Sequence, residues 1–123
     1  MVTELANLAV KVSDLDAACA FYRDAGAVVS EPTPWHDGHR ADVRLGPLAL
    51  TLFTRALYED RVELPDDAFL HVALFVDDLA GSLVGHDVVW GPEVVSGDFG
   101  RRRVAFVDAP GGMRLEFMED LTP

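Results

Sequence analysis

Lys11, His71, Arg114 and Glu116 are ionisable residues embedded in apolar segments, where alternation along a strand would place them on one face. An imidazole near a carboxylate is suited to general acid–base catalysis, because imidazoles titrate near neutrality. The same two groups can ligate zinc, iron, nickel or manganese, although tight sites supply three protein ligands or more. Lysine and arginine on that face would attract an anionic or enolate oxygen. The other reactive side chains read more plainly. His36 and His39 lie in Pro34-Trp35-His36-Asp37-Gly38-His39-Arg40, a turn-like run in which exposed histidines are the simple expectation and a second base or ligand the sharper one. His86 follows Gly85 at a short helix end, which favours a cation. Cys19 is the only cysteine and sits among alanines, so it reads as a small buried side chain rather than a nucleophile.

The bulk composition narrows the partners. The 123 residues suffice for a single domain, 1–123, with a hydrophobic core, and half of them are apolar. The formal charge of −11 argues against nucleic acid and anionic membrane surfaces. The one basic cluster, Arg101-Arg102-Arg103, reads as a solvated strand edge with some capacity to attract an anionic ligand. No apolar run is long enough to span a bilayer, and the N-terminus reads as a strand rather than a signal peptide. With no disulfide possible within the chain, a reducing, cytoplasmic setting is expected.

These candidates are positioned by an internal repeat. The run Asn7-Leu8-Ala9-Val10-Lys11-Val12 matches His71-Val72-Ala73-Leu74-Phe75-Val76, an offset of 64 from Asn7 to His71. Val28-Val29 matches Val88-Val89 at 60, and Gly46 to Phe53 matches Gly111 to Met118 at 65. The fall of four between the first two matches removes about one helical turn from the second half. Two βαβββ modules follow, approximately 1–55 and 69–120, joined by an acidic connector at 56–68 with a breaker at Pro65. In each module an alternating strand leads to a helix and three further strands. Ser13 reads as the first N-cap, with Gly26 as the stop, and Asp77 as the second. Gly81 and Gly85 shorten the second helix. The later strands of module one are expected around Ala27–Ser30, Ala41–Leu45 and Leu48–Phe53.

Strand parity then sorts the side chains. One face collects Leu8, Val10, Val12, Leu48, Leu50 and Leu52, with Val72, Leu74, Val76, Met113, Leu115 and Phe117 in module two. All are apolar and belong beneath helices. The opposite face carries Asn7, Lys11, Thr51, Phe53, His71, Phe75, Arg114 and Glu116, a mixture that suits a ligand pocket.

The order of elements, and the stretch Asp108-Ala109-Pro110-Gly111-Gly112-Met113-Arg114-Leu115-Glu116-Phe117, resemble the vicinal oxygen chelate superfamily of glyoxalase, bleomycin-resistance and extradiol-dioxygenase proteins. Its closing hairpin is usually an Asp-Pro-x-Gly turn; here alanine intervenes before Pro110. The resemblance implies an α+β fold, two repeated βαβββ modules forming a curled mixed eight-stranded sheet with an open cleft, and a homodimer. In metal-using members one ligand comes from the first and one from the last strand of each module. Those positions here are Asn7, Thr51, His71 and Glu116. Only His71 and Glu116 are good donors, so the expected cofactor is none or a weakly held divalent metal on those two residues. In the similar methylmalonyl-CoA epimerases a general base lies near the segment of His36, which makes it a third catalytic candidate.

Two functions compete. One is an isomerase, lyase or cyclase acting on an oxygen-rich small molecule, with chemistry at His71, Glu116 and His36 and with Asn7, Lys11, Thr51, Phe53, Phe75 and Arg114 binding the substrate. The Ala-, Val-, Asp-, Gly- and Arg-rich composition suggests a high-GC bacterial source, where proteins of the family it resembles often accompany antibiotic pathways, so a place in antibiotic biosynthesis is an expectation. The other is a metal-free protein that sequesters an aromatic antibiotic, stacking it on residues such as Trp35, Phe53, Phe75, Trp90 and Phe99.

Overall fold

The structure, a computed structural model, describes residues 1–122. The elements are β1 (Val2–Lys11), α1 (Leu15–Asp24), β2 (Val28–Val29), β3 (Thr33–Trp35), β4 (Gly38–Leu45), β5 (Leu48–Phe53), β6 (Ala68–Val76), α2 (Leu79–Ser82), β7 (Val88–Gly97), β8 (Gly100–Ala109) and β9 (Met113–Asp120). The class is α+β, with parallel and antiparallel strand pairs mixed. The chain divides into two compact units, one of residues 7–70 and one of residues 1–6 with 71 onward.

In the 7–70 unit the strands lie in the order β2-β4-β5-β1, and β3 pairs with β4. The parallel pair β1–β5 sets Leu8 against Leu50 and Val10 against Leu52. Helix α1 covers the face that carries these residues. Leu15 and Cys19 are buried against Ala41, Val43, Leu50 and Leu52, and Leu8, Val10, Val12 and Leu48 pack around them. The parity deduced from sequence therefore holds here, because alternation is a property of extended backbone and survives whatever the strand pairs with. The helix ends in a Schellman arrangement. Gly26, at φ 93°, turns the chain so that the Ala27 N–H reaches Tyr22 O at 2.9 Å and the Gly26 N–H reaches Arg23 O at 3.0 Å.

In the other unit β6-β9-β8-β7 are neighbours, and the first residues of β1 border β6. Val72 pairs with Leu115 and Ala73 with Glu116, again in parallel. This is the β1–β5 register carried through the repeat. Helix α2 buries Leu79 with Val76, Ala105, Val107 and Phe117, and Leu74 and Leu115 pack beside them, so the apolar parity holds for these residues, whereas Met113 at the end of that face is exposed. The two closing hairpins explain why the offset ends at 65. Leu45 pairs with Leu48 across a two-residue turn, whereas Ala109 pairs with Met113 across three.

Four sequence expectations need correction. Both N-caps shift by one: Asp14 accepts from the Ala17 N–H at 3.0 Å, and Asp78 from the Gly81 N–H at 3.2 Å. Two adjacent residues could cap each helix, and burial of Leu15 and Leu79 selects the later start. Ser13 instead donates its N–H and hydroxyl to Asp67, at 2.9 and 2.8 Å. Next, the strands number nine among the described residues, because the histidine-bearing turn folds as the hairpin β3–β4. Pro34 disguises β3 as a loop, yet proline is tolerated on an outer strand that needs no donor there. For the same reason β4 begins at Gly38 rather than Ala41. Finally, the arginine run lies within β8, which is paired on both sides by β7 and β9, so it is not a sheet edge.

Candidate functional site

His71 and Glu116 come together. The imidazole Nε2 lies 3.2 Å from Glu116 Oε1, with the histidine side chain 5% and the glutamate side chain 12% exposed. Parallel register explains the contact: Glu116 pairs with Ala73, two residues after His71 on β6, so the two side chains share a face. Phe106, opposite Glu116 on β8, packs edge-on against the imidazole at 4.9 Å. Trp90 packs in turn against Phe106 at 5.8 Å. A burial this complete requires partners for both polar groups. The contact orients the two groups toward each other in a largely buried setting, an arrangement suited to acid–base chemistry.

The repeat mates Asn7 and Thr51 also meet, but the chemistry differs. Asn7 Nδ2 donates to Thr51 Oγ1 at 3.0 Å, and Thr51 Oγ1 donates to Asp42 Oδ1 at 3.2 Å. Arg40 completes the chain by donating to Asp42 at 2.9 Å. Its guanidinium also lies over the rings of Trp35 and Phe53, at 4.8 and 5.4 Å. Thus Asn7, Thr51 and Phe53 belong to one hydrogen-bonded and stacked group. Asp42 and Arg40 were missing from the sequence reading. Alternation on β4 could have revealed them, since buried Ala41 and Val43 assign Arg40 and Asp42 to the opposite face.

The remaining candidates take other partners. Lys11, buried, bonds Glu59 at 2.9 Å, and Glu59 also takes a bond from Arg55 at 3.2 Å. Burial raises the Glu59 carboxyl, but the bonds from Lys11 and the Ala56 N–H, with the charges of Lys11 and Arg55, outweigh it and hold the group below its ordinary value. No local signal marks Glu59, because the connector has no period. Arg114 donates from Nε to Asp108 at 3.0 Å. Phe75 packs under the guanidinium of Arg102 at 4.9 Å. His36 is exposed on the β3–β4 turn at φ 50°, its ring edge-on to Trp35 at 4.6 Å. His39 is exposed, and its backbone N–H bonds Thr54. His86 is exposed and meets the ring of Phe117 at 6.0 Å. Cys19 is buried, and burial pushes its thiol up, which suits a packing role.

The donor set does not fit a tightly held metal ion. Asn7 and Thr51 bond each other and continue to Asp42, while His71 and Glu116 bond each other. Among the described residues no group of three or more His, Cys, Asp or Glu side chains is placed to hold a metal.

No protein-family model and no curated protein matches the sequence. Solved structures do match. A methylmalonyl-CoA epimerase, in complex with methylmalonyl-CoA and ammonium, aligns at TM-score 0.72 and 21% identity over 99% of this chain and 97% of that one. A glyoxalase/bleomycin resistance protein/dioxygenase superfamily member from Vibrio splendidus 12B01 aligns at 0.68 and 17% identity, over 96% of this chain and 100% of that one. The 2,2',3-trihydroxybiphenyl 1,2-dioxygenase from Sphingomonas wittichii strain RW1 aligns at 0.59 and 21% identity, over 94% of this chain and 42% of that one. The chain has the vicinal oxygen chelate fold. The vicinal oxygen chelate backbone accounts for the repeat and for the matched parallel registers. It does not specify a reaction, since one fold hosts many. Among the described residues no helix is long and apolar enough to cross a membrane.

Proposed function

We propose that this protein is an acid–base enzyme that moves a proton on a small oxygen-bearing molecule, as an isomerase, lyase or cyclase. The observation that carries this reading is the buried contact of His71 with Glu116 at 3.2 Å. Its repeat mates Asn7 and Thr51 have side chains that do not titrate in the ordinary range. Glu116 is the base in this reading. Its second oxygen takes a proton from carbon next to a carbonyl, the C–H electron pair moves onto the carbonyl oxygen, and the enolate forms. A proton delivered by solvent to the other face of that carbon, with Glu116 releasing its own to water, gives the epimer, and expulsion of a neighbouring leaving group that takes the proton from Glu116 gives the lyase outcome. His71 positions Glu116 through its contact with Oε1. His36 stays a candidate second base. A divalent ion would be held weakly, by His71 and Glu116, and is not part of these steps. The protein acts in the cytoplasm as a homodimer in this reading.

Solvent-deuterium incorporation tests it directly. A panel of carbonyl compounds with an exchangeable neighbouring C–H, methylmalonyl-CoA among them, is incubated in heavy water with the wild-type protein and with Glu116→Gln. Wash-in that depends on Glu116 supports the enzyme. The absence of exchange across the panel, together with saturable binding of planar aromatic cations, would favour sequestration instead. The stacked pairs of Arg40 with Trp35 and Phe53 would then supply the aromatic surface.

A further inference from the structure

The basic cluster of this acidic chain, Arg101-Arg102-Arg103, places its middle residue on the same sheet face as Glu116. Arg101 and Arg103 are exposed, and Arg103 faces Glu119 at 3.6 Å. Arg102, between them, points the other way. Its Nη1 lies 3.7 Å from Met118 Sδ, and its guanidinium carbon lies 4.9 Å from the Phe75 ring and 4.2 Å from the Phe99 ring. Met118 is two residues from Glu116 on β9 and directly opposite Phe75 on β6, so all four side chains share one face. Along β9 that face runs from the carboxylate of Glu116, across apolar Phe75 and Met118, to a cation. Met118 stands two strand residues, about 7 Å, from Glu116, and Arg102, whose register partner is Asp120, reaches back to the Met118 sulfur.

The clamp is constructed rather than incidental. Phe99 sits on the two-residue turn between Gly97 and Gly100 and folds back over Arg102. A Cβ at Gly97 would stand 2.6 Å from the Phe99 ring, so only glycine leaves room for this fold-back. Asp120, in register with Arg102, accepts the Thr122 N–H at 2.9 Å, and the Arg102 charge adds to the bonds from Thr122 that hold its carboxyl below the ordinary value. A guanidinium held flat against aromatic rings is already oriented for a planar oxyanion and loses little freedom on bonding it.

We propose that Arg102, clamped by Phe75 and Phe99, anchors the carboxylate or phosphate of an elongated substrate whose apolar middle crosses Phe75 and Met118 and whose reacting carbon reaches Glu116. This rests on the acid–base reading of the preceding section and adds the charge and shape of the substrate. The test uses hexanoate and hexyl phosphate, whose chains match the spacing, with hexylamine as the cationic control. Each is titrated into the full chain and followed by amide chemical shifts. At least one anion should saturate and move the resonances of Phe75, Arg102 and Glu116, and the better of the two identifies the oxyanion. Arg102→Gln should weaken that binding at least tenfold. Gly97→Ala keeps the charge but displaces Phe99, and should weaken it severalfold; it carries the comparison if Arg102→Gln fails to fold. Equal binding of hexylamine, no saturable anion, or affinity unchanged in the folded variants would overturn the proposal. Glu116→Gln separates it from the reading beneath it, because that variant should keep hexanoate affinity while losing deuterium exchange.

Discussion

His71 and Glu116 meet at 3.2 Å on the same diagonal of a parallel strand pair on which Asn7 and Thr51 meet at 3.0 Å. The repeat has thus preserved a geometry while changing its chemistry. One copy keeps a titratable pair, and the other a neutral pair tied to Asp42. The asymmetry leaves one imidazole–carboxylate pair and makes the consequences of substitution specific.

Glu116→Gln should lower deuterium exchange by about a hundredfold to ten-thousandfold, the usual contribution of a positioned base. It retains the size of the side chain, so thermal unfolding should change little. His71→Ala should also abolish exchange, but with a cost to the fold. The sequence alone suggests a cleft residue with few contacts, whereas the imidazole is buried against Phe106 and supports Glu116. Loss of about 1–3 kcal/mol is expected from the stranded carboxylate and the cavity, readable by urea denaturation. Exchange at wild-type rate in both variants would make the pair structural.

Lys11 and Glu59 should make stability depend on acid. Because the folded Glu59 carboxyl is held below its ordinary value, its contribution is full above the unfolded value of about 4.3 and fades as pH falls through the lower folded value. Glu59→Gln should flatten that part of the stability curve. It should also cost about 3 kcal/mol at neutral pH, by leaving Lys11 buried without its carboxylate. A pH series of denaturant midpoints checks both, and a variant with the parental acid slope would contradict the assignment.

Thr51→Val should break the chain from Asn7 to Asp42. Valine has nearly the shape of threonine but neither accepts from Asn7 nor donates to Asp42. The buried hydroxyl's loss should cost about 1–3 kcal/mol. Thr51→Ser, which restores the hydroxyl, should recover most of it. A Thr51→Val variant as stable as the parent, or no recovery with serine, would contradict the assignment to the hydroxyl.

The protein should be a dimer in solution. Strand β7 pairs on one side only, with β8, and carries exposed Val88 and Val94, an edge that natural sheets tend to cover. Light scattering at micromolar concentration should give twice the chain mass, and Val94→Lys should shift it toward the monomer. A monomer mass for the parent chain would remove this expectation.

What the sequence by itself determined was the part governed by local backbone geometry. Alternation with period two separated Leu8, Val10, Leu50 and Leu52 from Asn7, Lys11, Thr51 and Phe53, and the structure keeps those two sets on opposite faces. Similarity between Leu8 and Val72, and between Leu50 and Leu115, anticipated two equivalent modules, while the parallel pairing of β1 with β5 and of β6 with β9 came only from the structure. Tertiary structure alone decided which polar partner each side chain took. Glu59 reaches Lys11 from a connector without periodicity, Asp42 reaches Thr51 from a neighbouring strand, and Phe99 folds onto Arg102 from a turn. Such pairings depend on how segments distant in sequence are brought into register. Their energies are of the order of single hydrogen bonds and ion pairs, too small and too dependent on burial to leave a pattern in the chain. The same distinction explains Pro34: the residue reads locally as a break, and only the partner strand β4 makes it part of a hairpin.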